Sequence, residues 1–359
     1  MNKKRKRNLA SDNNAGVCPE AWQAMGKANQ GHSEAYGTDQ YTEEVCDLLR
    51  NLFETDCDVF FTFNGTAANS LALAALCRPY HSVLCHSFSH VETDECGAPE
   101  FYSGGSKILS VDGENGKVTP YSVEAVARKR SDLHFPKPRV LSLTQATELG
   151  SVYSKEELEH ISATTRALNL NVHMDGARFA NAIAHLECAP KDITWKAGVD
   201  VLCFGGTKNG LAVGEAVIFF NKELSQEFEY RCKQAGQLCS KMRFISAPWL
   251  GILKNNSWVE NGRKANAAAT RMKEGLEKLG QSILFPVQAN SVFVKLDSRV
   301  IAGMQFRGWM FYDFVAAGGC RLMCSWDTSF EDVDEFLADL AELLESNEDR
   351  RNEVEVLRH

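Results

Sequence analysis

The chain contains no apolar stretch near the about 18 residues that a membrane-spanning helix needs. No apolar segment follows its basic start, so a secretory leader is not expected. Its twelve cysteines include no C-x-x-C pair; without that spacing neither a structural zinc site nor a disulfide framework is expected, and thiols inside apolar runs (Cys77, Cys85, Cys203, Cys320, Cys324) read as small hydrophobes. Excess positive charge is missing as well. With 39 Lys and Arg against 47 Asp and Glu the formal charge is −8, which argues against a nucleic-acid or anionic-membrane surface. Internal repeats and low-complexity linkers are absent too. Together these point to a reduced, cytoplasmic protein with no metal, nucleic-acid or membrane partner. One local exception is the run Lys3-Lys4-Arg5-Lys6-Arg7, read as part of a solvated, disordered tail over 1–10, with a localisation or polyanion-binding role as the alternative.

What is present supports a sizeable core: 44% of 359 residues are hydrophobic, enough for about two domains. Helix-period and strand-like segments alternate from residue 41 to 220. Val45, Leu48, Leu49 and Leu52 form a helical stripe, and 58–63 is a short apolar strand followed by an Ala/Leu-rich helix over 65–76. Strands are predicted at 82–86, 107–111, 139–143, 170–175, 199–205 and 216–220. Ser154 with Glu157 forms a capping box at the head of a helix over 154–168. This alternation predicts an α/β fold, a mostly parallel sheet sandwiched by helices, over 11–248. After about residue 245 the pattern changes to a long helix, two strand-like runs and an acidic amphipathic helix over 330–344, a smaller C-terminal α+β domain over 249–359.

Two segments carry the chemistry. His173-Met174-Asp175-Gly176-Ala177-Arg178 and Phe204-Gly205-Gly206-Thr207-Lys208-Asn209-Gly210 each close a predicted buried strand with one ionisable residue. A carboxylate at one strand end and a lysine in a glycine-rich turn at another suit pyridoxal phosphate, whose carbonyl a lysine binds as an imine and whose ring nitrogen a carboxylate keeps protonated. In open parallel sheets ligands sit beyond the carboxyl ends of the strands, where Asn64-Gly65-Thr66-Ala67-Ala68-Asn69 also falls as a possible phosphate cradle. Each piece has a plainer reading: Gly65-Thr66 as an ordinary helix start, Asp175 as an N-cap of the next helix, Lys208 as an exposed loop lysine. A P-loop is a poor match, because the G-x-x-x-x-G-K-[ST] order is missing.

The chain resembles the L-threonine aldolases, pyridoxal-phosphate enzymes of the aspartate-aminotransferase fold (fold type I) in the β-eliminating lyase group. The matching pieces run in order: Ser11-Asp12-Asn13-Asn14-Ala15-Gly16, Tyr36-Gly37-Thr38-Asp39, Gly65-Thr66-Ala67-Ala68-Asn69, His90, Asp175-Gly176-Ala177-Arg178, Thr207-Lys208-Asn209-Gly210 and Arg321-Leu322. The resemblance implies that Lys208, beside Thr207, carries the cofactor and Asp175 pairs with its ring nitrogen. Gly65, Thr66 and Ala67 would hold the phosphate, and His90 would stack on the ring near the substrate's β-hydroxyl. Ser11, Arg178 and Arg321 would clamp the substrate carboxylate, a task suited to a bidentate guanidinium. Tyr36 would reach the phosphate region of a neighbouring subunit, implying a homodimer or homotetramer with shared active sites. Two departures stand out. Glu148 occupies roughly the place of a second histidine found in another branch. Cys232 interrupts the basic segment around Arg231 and Lys233 that reaches a phosphate across the dimer.

The implied reaction is reversible retro-aldol cleavage of L-threonine, L-allo-threonine and related β-hydroxy-α-amino acids to glycine and an aldehyde. Deprotonation of the β-hydroxyl by His90, Glu148 or an ordered water would drive it, a contribution of about 10²–10⁴-fold. The alternatives are β-elimination or racemisation on the same cofactor, or a silent protein of this fold used for binding.

Overall fold

A computed structural model of the chain describes residues 8–314 and 318–356; the basic run 3–7 lies outside them. Seven strands form the main sheet: β1 (Asp58–Thr62), β2 (His81–His86), β3 (Lys107–Val111), β4 (Lys137–Thr144), β5 (Asn171–Gly176), β6 (Val201–Gly205) and β7 (Glu215–Phe219). Their order is β1-β7-β6-β5-β4-β2-β3. The ladder from β6 through β5, β4 and β2 to β3 is parallel, while β7 pairs antiparallel with both β6 and β1. The predicted α/β class with a mostly parallel sheet is what the chain adopts.

The apolar runs of β6 and β7 follow from burial on both faces. Side chains alternate across a strand. Leu202, Phe204, Ala216 and Ile218 therefore enter one core, and Val201, Cys203, Val217 and Phe219 the other. The second core is closed by the helix Gly65–Leu76, buried along almost all of its length. The Ser154 capping box forms as expected, with Ser154 Oγ accepting from Glu157 N–H and Glu157 Oε2 from Ser154 N–H.

A second sheet follows: β8 (Ser291–Val294), β9 (Tyr312–Phe314) and β10 (Gly319–Met323), antiparallel in the order β8-β10-β9. Its core joins Val292, Val294, Cys320 and Leu322 to Met272 and Leu276 from the helix Ser257–Lys278 and to Phe336 and Leu340 from the helix Phe330–Val356. The expected domain boundary at 248/249 falls inside the helix Arg243–Leu253. The change of core comes later, along the helix Ser257–Lys278, where Trp258 belongs to the first cluster and Ala268 to the second.

The tail expected over 1–10 is packed from Asn8 onward. Leu9 is buried in the second core, donates its N–H to Met310 O (2.8 Å) and accepts from Met323 N–H (2.8 Å). Leucine at that point offers apolar area that the C-terminal core covers. All twelve cysteines are free, and among the described residues no helix is long and apolar enough to cross a membrane.

Candidate active site

Parallel pairing brings the ends of β4, β5 and β6 abreast, with Thr144 opposite Asp175 and Asp175 opposite Cys203. Beyond these ends lies a cavity of about 230 Å³ whose wall includes Gly65, Thr66, Asn69, His90, Asp175 and Lys208. A recess of about 50 Å³ continues from it to Thr144, Glu148 and Arg178. The site has the location that parallel α/β sheets favour.

Asp175 is buried. Its Oδ1 accepts from Ala177 N–H (2.9 Å) and its Oδ2 from Asn69 Nδ2 (2.9 Å). The N-cap reading of this residue does not hold: the helix Phe179–Leu186 starts after Arg178, with no side-chain cap. Lys208 lies in the 3₁₀ turn Thr207–Asn209 after β6 and lines the cavity, so it is not an exposed loop lysine. Burial, then the nearby Arg178 guanidinium, lowers its amine below the usual lysine range. Glycines permit the close packing of this turn. A Cβ on Gly205 would lie 2.5 Å from Ala177 O, and Gly210 has φ +101°. Asn209 anchors the turn from below, donating through Nδ2 to Trp258 O (2.9 Å) and accepting from Asn261 Nδ2 (3.0 Å).

The plainer reading of the helix start at Gly65 is half right. Asn64 is the N-cap, and its side chain accepts from Ala67 N–H (2.9 Å). The Ala67 amide is thereby committed to the cap. Gly65 and Thr66 face the cavity at the positive end of a buried helix, the setting that binds phosphate.

His90 also lines the cavity. Its Nδ1 is 2.9 Å from Oε1 of Glu95, and its backbone N–H donates to Glu148 Oε1 (2.7 Å). The hydrogen bond to Glu95 comes first among the effects raising His90 above the ordinary imidazole range. Burial, then the charge of Asp175, pushes Glu148 up to about 7. Glu148 Oε1 also accepts from Thr144 Oγ1 (2.9 Å), while its buried Oε2 has no hydrogen-bond partner among the described residues.

The remaining site residues divide. Arg178 lines the recess, but Nε and one terminal nitrogen are held bidentately by Asp12 (2.8 and 2.9 Å). Ser11 Oγ accepts from Asn13 N–H (3.1 Å), and Arg321 donates to Ala10 O (3.4 Å) with its guanidinium over the Tyr312 ring. Both stand beside Asp12 and do not line the cavity. Tyr36, Arg231 and Lys233 are elsewhere: Tyr36 is 49% exposed, with Lys233 Nζ 4.6 Å from its ring centroid, and Arg231 belongs to the helix Phe228–Gln234. Sequence reasoning assigned no role to Asp12, Asn69 or Glu95. Asp12 and Asn69 lay within matched motifs, whereas Glu95, five residues after His90, gave no signal.

A half-buried lysine, a buried carboxylate and a helix start converge on one cavity, the set of groups pyridoxal phosphate requires. The fold agrees. Aspartate aminotransferase from Thermus thermophilus with maleate superposes with a TM-score of 0.70 at 18% identity, over 94% of this chain and 91% of the other. Fold and site together place the protein among the fold-type-I pyridoxal-phosphate enzymes. The beta-eliminating lyase family model matches residues 8–299. A low specificity L-threonine aldolase from Pseudomonas aeruginosa is 59% identical over 92% of this chain and 96% of its own length. A threonine aldolase structure from Leishmania major superposes with a TM-score of 0.88 at 29% identity, covering 94% and 99% of the two chains. The chain belongs to the beta-eliminating lyase family, on its low-specificity L-threonine aldolase branch.

Proposed function

We propose that the protein cleaves L-threonine, L-allo-threonine and related β-hydroxy-α-amino acids reversibly to glycine and an aldehyde, acetaldehyde from the first two. The observation that carries this reading is the convergence of Lys208, Asp175 and His90 on one cavity in a chain of this family. Pyridoxal phosphate, when bound, supplies a sink for the electrons of a bond at the amino acid's α-carbon. Lys208 would hold it through Nζ, and a lowered pKa enlarges the neutral, nucleophilic fraction of that amine. Asp175 would keep a proton at the ring nitrogen, and Gly65 and Thr66 would hold the phosphate. His90 Nε2 would take the β-hydroxyl proton as the Cα–Cβ bond breaks, and the α-carbon then takes a proton to give glycine. Glu148 lines the adjoining recess and is the second candidate for that proton. Ser11, Arg178 and Arg321 would receive the substrate carboxylate.

The working form is a cytoplasmic homodimer or homotetramer in which Tyr36, with Arg231 and Lys233, serves a neighbouring subunit's phosphate region. The exposure of Tyr36 and its pairing with Lys233 support this.

Purified protein given L-threonine or L-allo-threonine should release acetaldehyde and glycine in equal amounts, and Lys208→Ala should release neither. A keto acid with ammonia, or a D-amino acid, would replace this reading with elimination or racemisation.

A further inference from the structure

Glu95 has a side chain with no solvent exposure. No lysine or arginine pairs with it among the described residues. Its Oε1 lies 2.9 Å from His90 Nδ1 and accepts from Asn69 Nδ2 (2.9 Å), with Ser70 Oγ 3.5 Å from Oε2. The same Asn69 nitrogen lies 2.9 Å from Asp175 Oδ2. An amide NH₂ has two hydrogens, so Asn69 can give one to each carboxylate. Two buried acids, one at the ring-nitrogen position and one behind His90, are thereby joined through a single neutral group, which offsets their repulsion.

We propose that Glu95 is the positioning residue that sets the tautomer of His90, holding its Nδ1–H so that Nε2 is the proton acceptor in the cavity, with Asn69 linking Glu95 to Asp175. This rests on the role given to His90 above. Burial raises the Glu95 carboxyl above its ordinary range, while the hydrogen bonds with His90 and Asn69 favour its charged form; ionised, it only accepts, so a neutral imidazole bonded to it through Nδ1 carries its proton there. Nε2 has no hydrogen-bond partner among the described residues, and the ring lines the cavity. The backbone of His90 is fixed independently by Glu148 Oε1.

The charged groups facing His90 are Glu95, Glu148 from the loop after β4, Asp175 from β5 and Lys208 from the turn after β6. On its own segment Asp94 accepts from Thr93 Oγ1, and Glu92 Oε1 lies 3.5 Å from Ser110 Oγ. Of all these, Glu95 is the one whose side chain bonds the ring.

The test is ¹⁵N-histidine NMR on the holoenzyme and on protein stripped of cofactor, with the His90 signal assigned by His90→Asn. In the wild type the neutral His90 ring should carry its proton on Nδ1. Glu95→Gln should lower the His90 titration midpoint by about one pH unit and move the acid limb of kcat/KM for L-threonine to lower pH. Glu95→Asp, which keeps the charge, should restore part of both. A wild-type ring protonated at Nε2 would overturn the proposal, as would a Glu95→Gln enzyme with reduced kcat but an unmoved midpoint and limb. Should Glu95→Gln fail to fold, the wild-type tautomer alone decides. Absence of acetaldehyde would remove the activity reading yet leave the NMR measurement intact, so the two failures are separable.

Discussion

The carboxyl of Glu148 is buried, and burial together with Asp175 raises it to about 7 from its ordinary 4.5. Between those values the folded protein binds more protons than the unfolded chain, so its stability falls as pH rises through that window. The full effect above pH 7 is about 3 kcal/mol as an upper figure. Glu148→Gln removes the ionisation. In urea titrations of the cofactor-free protein that variant should be more stable than wild type at pH 8, with the gap closing towards pH 5. A constant gap would mean that Glu148 is charged at no cost. At this scale the sequence was readable where a residue type is chemically committed, as with Lys208 after Gly-Gly-Thr and Asp175 before Gly-Ala-Arg. Glu95 was not readable, because a glutamate in a polar segment has the composition of a solvated surface. Its burial against Asn69 arises where the segment that carries both His90 and Glu95 meets the helix Gly65–Leu76.

Elements of strong period were legible to within a few residues, including the helix Gly65–Leu76 and the strands β3 and β5. The helix Arg243–Leu253 was not predicted, since it contains Pro248, which removes a donor and disfavours a helix interior. Its burial outweighs that cost: Ile245, Trp249, Leu250 and Ile252 all enter the first core. The end of β6 depends on the opposite kind of residue. At Gly205 an added Cβ would meet Ala177 O at 2.5 Å and Cα at 2.7 Å, both backbone atoms. Gly205→Ala should therefore destabilise the protein by about 1–3 kcal/mol and displace Lys208, read as a lower melting temperature with weaker cofactor retention. An unchanged melting temperature would show that the turn is looser than its contacts indicate.

Across the whole molecule, Asp12 joins parts that the sequence keeps far apart. It holds Arg178 beyond β5 and accepts from Asn290 Nδ2 (3.1 Å) at the edge of β8, while Asn290 also donates to Cys324 O (2.6 Å). Burial opposes its charge, but Arg178 and Lys208 keep the Asp12 carboxyl below the usual range. Removing one member of a buried pair leaves the other uncompensated, at a cost of about 3–5 kcal/mol. Asp12→Ala should lose that much in denaturant unfolding, whereas an exposed control such as Arg271→Ala, which breaks a surface pair with Asp334, should leave the unfolding midpoint nearly unchanged. Similar losses for both would place Asp12 at the surface in solution.

The division between sequence and structure follows from the range of the forces involved. Periodicity, capping and turn chemistry act over a few residues, so the order of strands and helices and the placing of Asp175 and Lys208 at strand ends are determined locally. The reversed direction of β7, the packing of Leu9 against the C-terminal sheet, the Asp12–Arg178–Asn290 junction and the His90–Glu95–Asn69–Asp175 chain depend on which buried groups meet. Hydrogen bonds and charges gain their weight only once water is excluded, and only the folded chain excludes it.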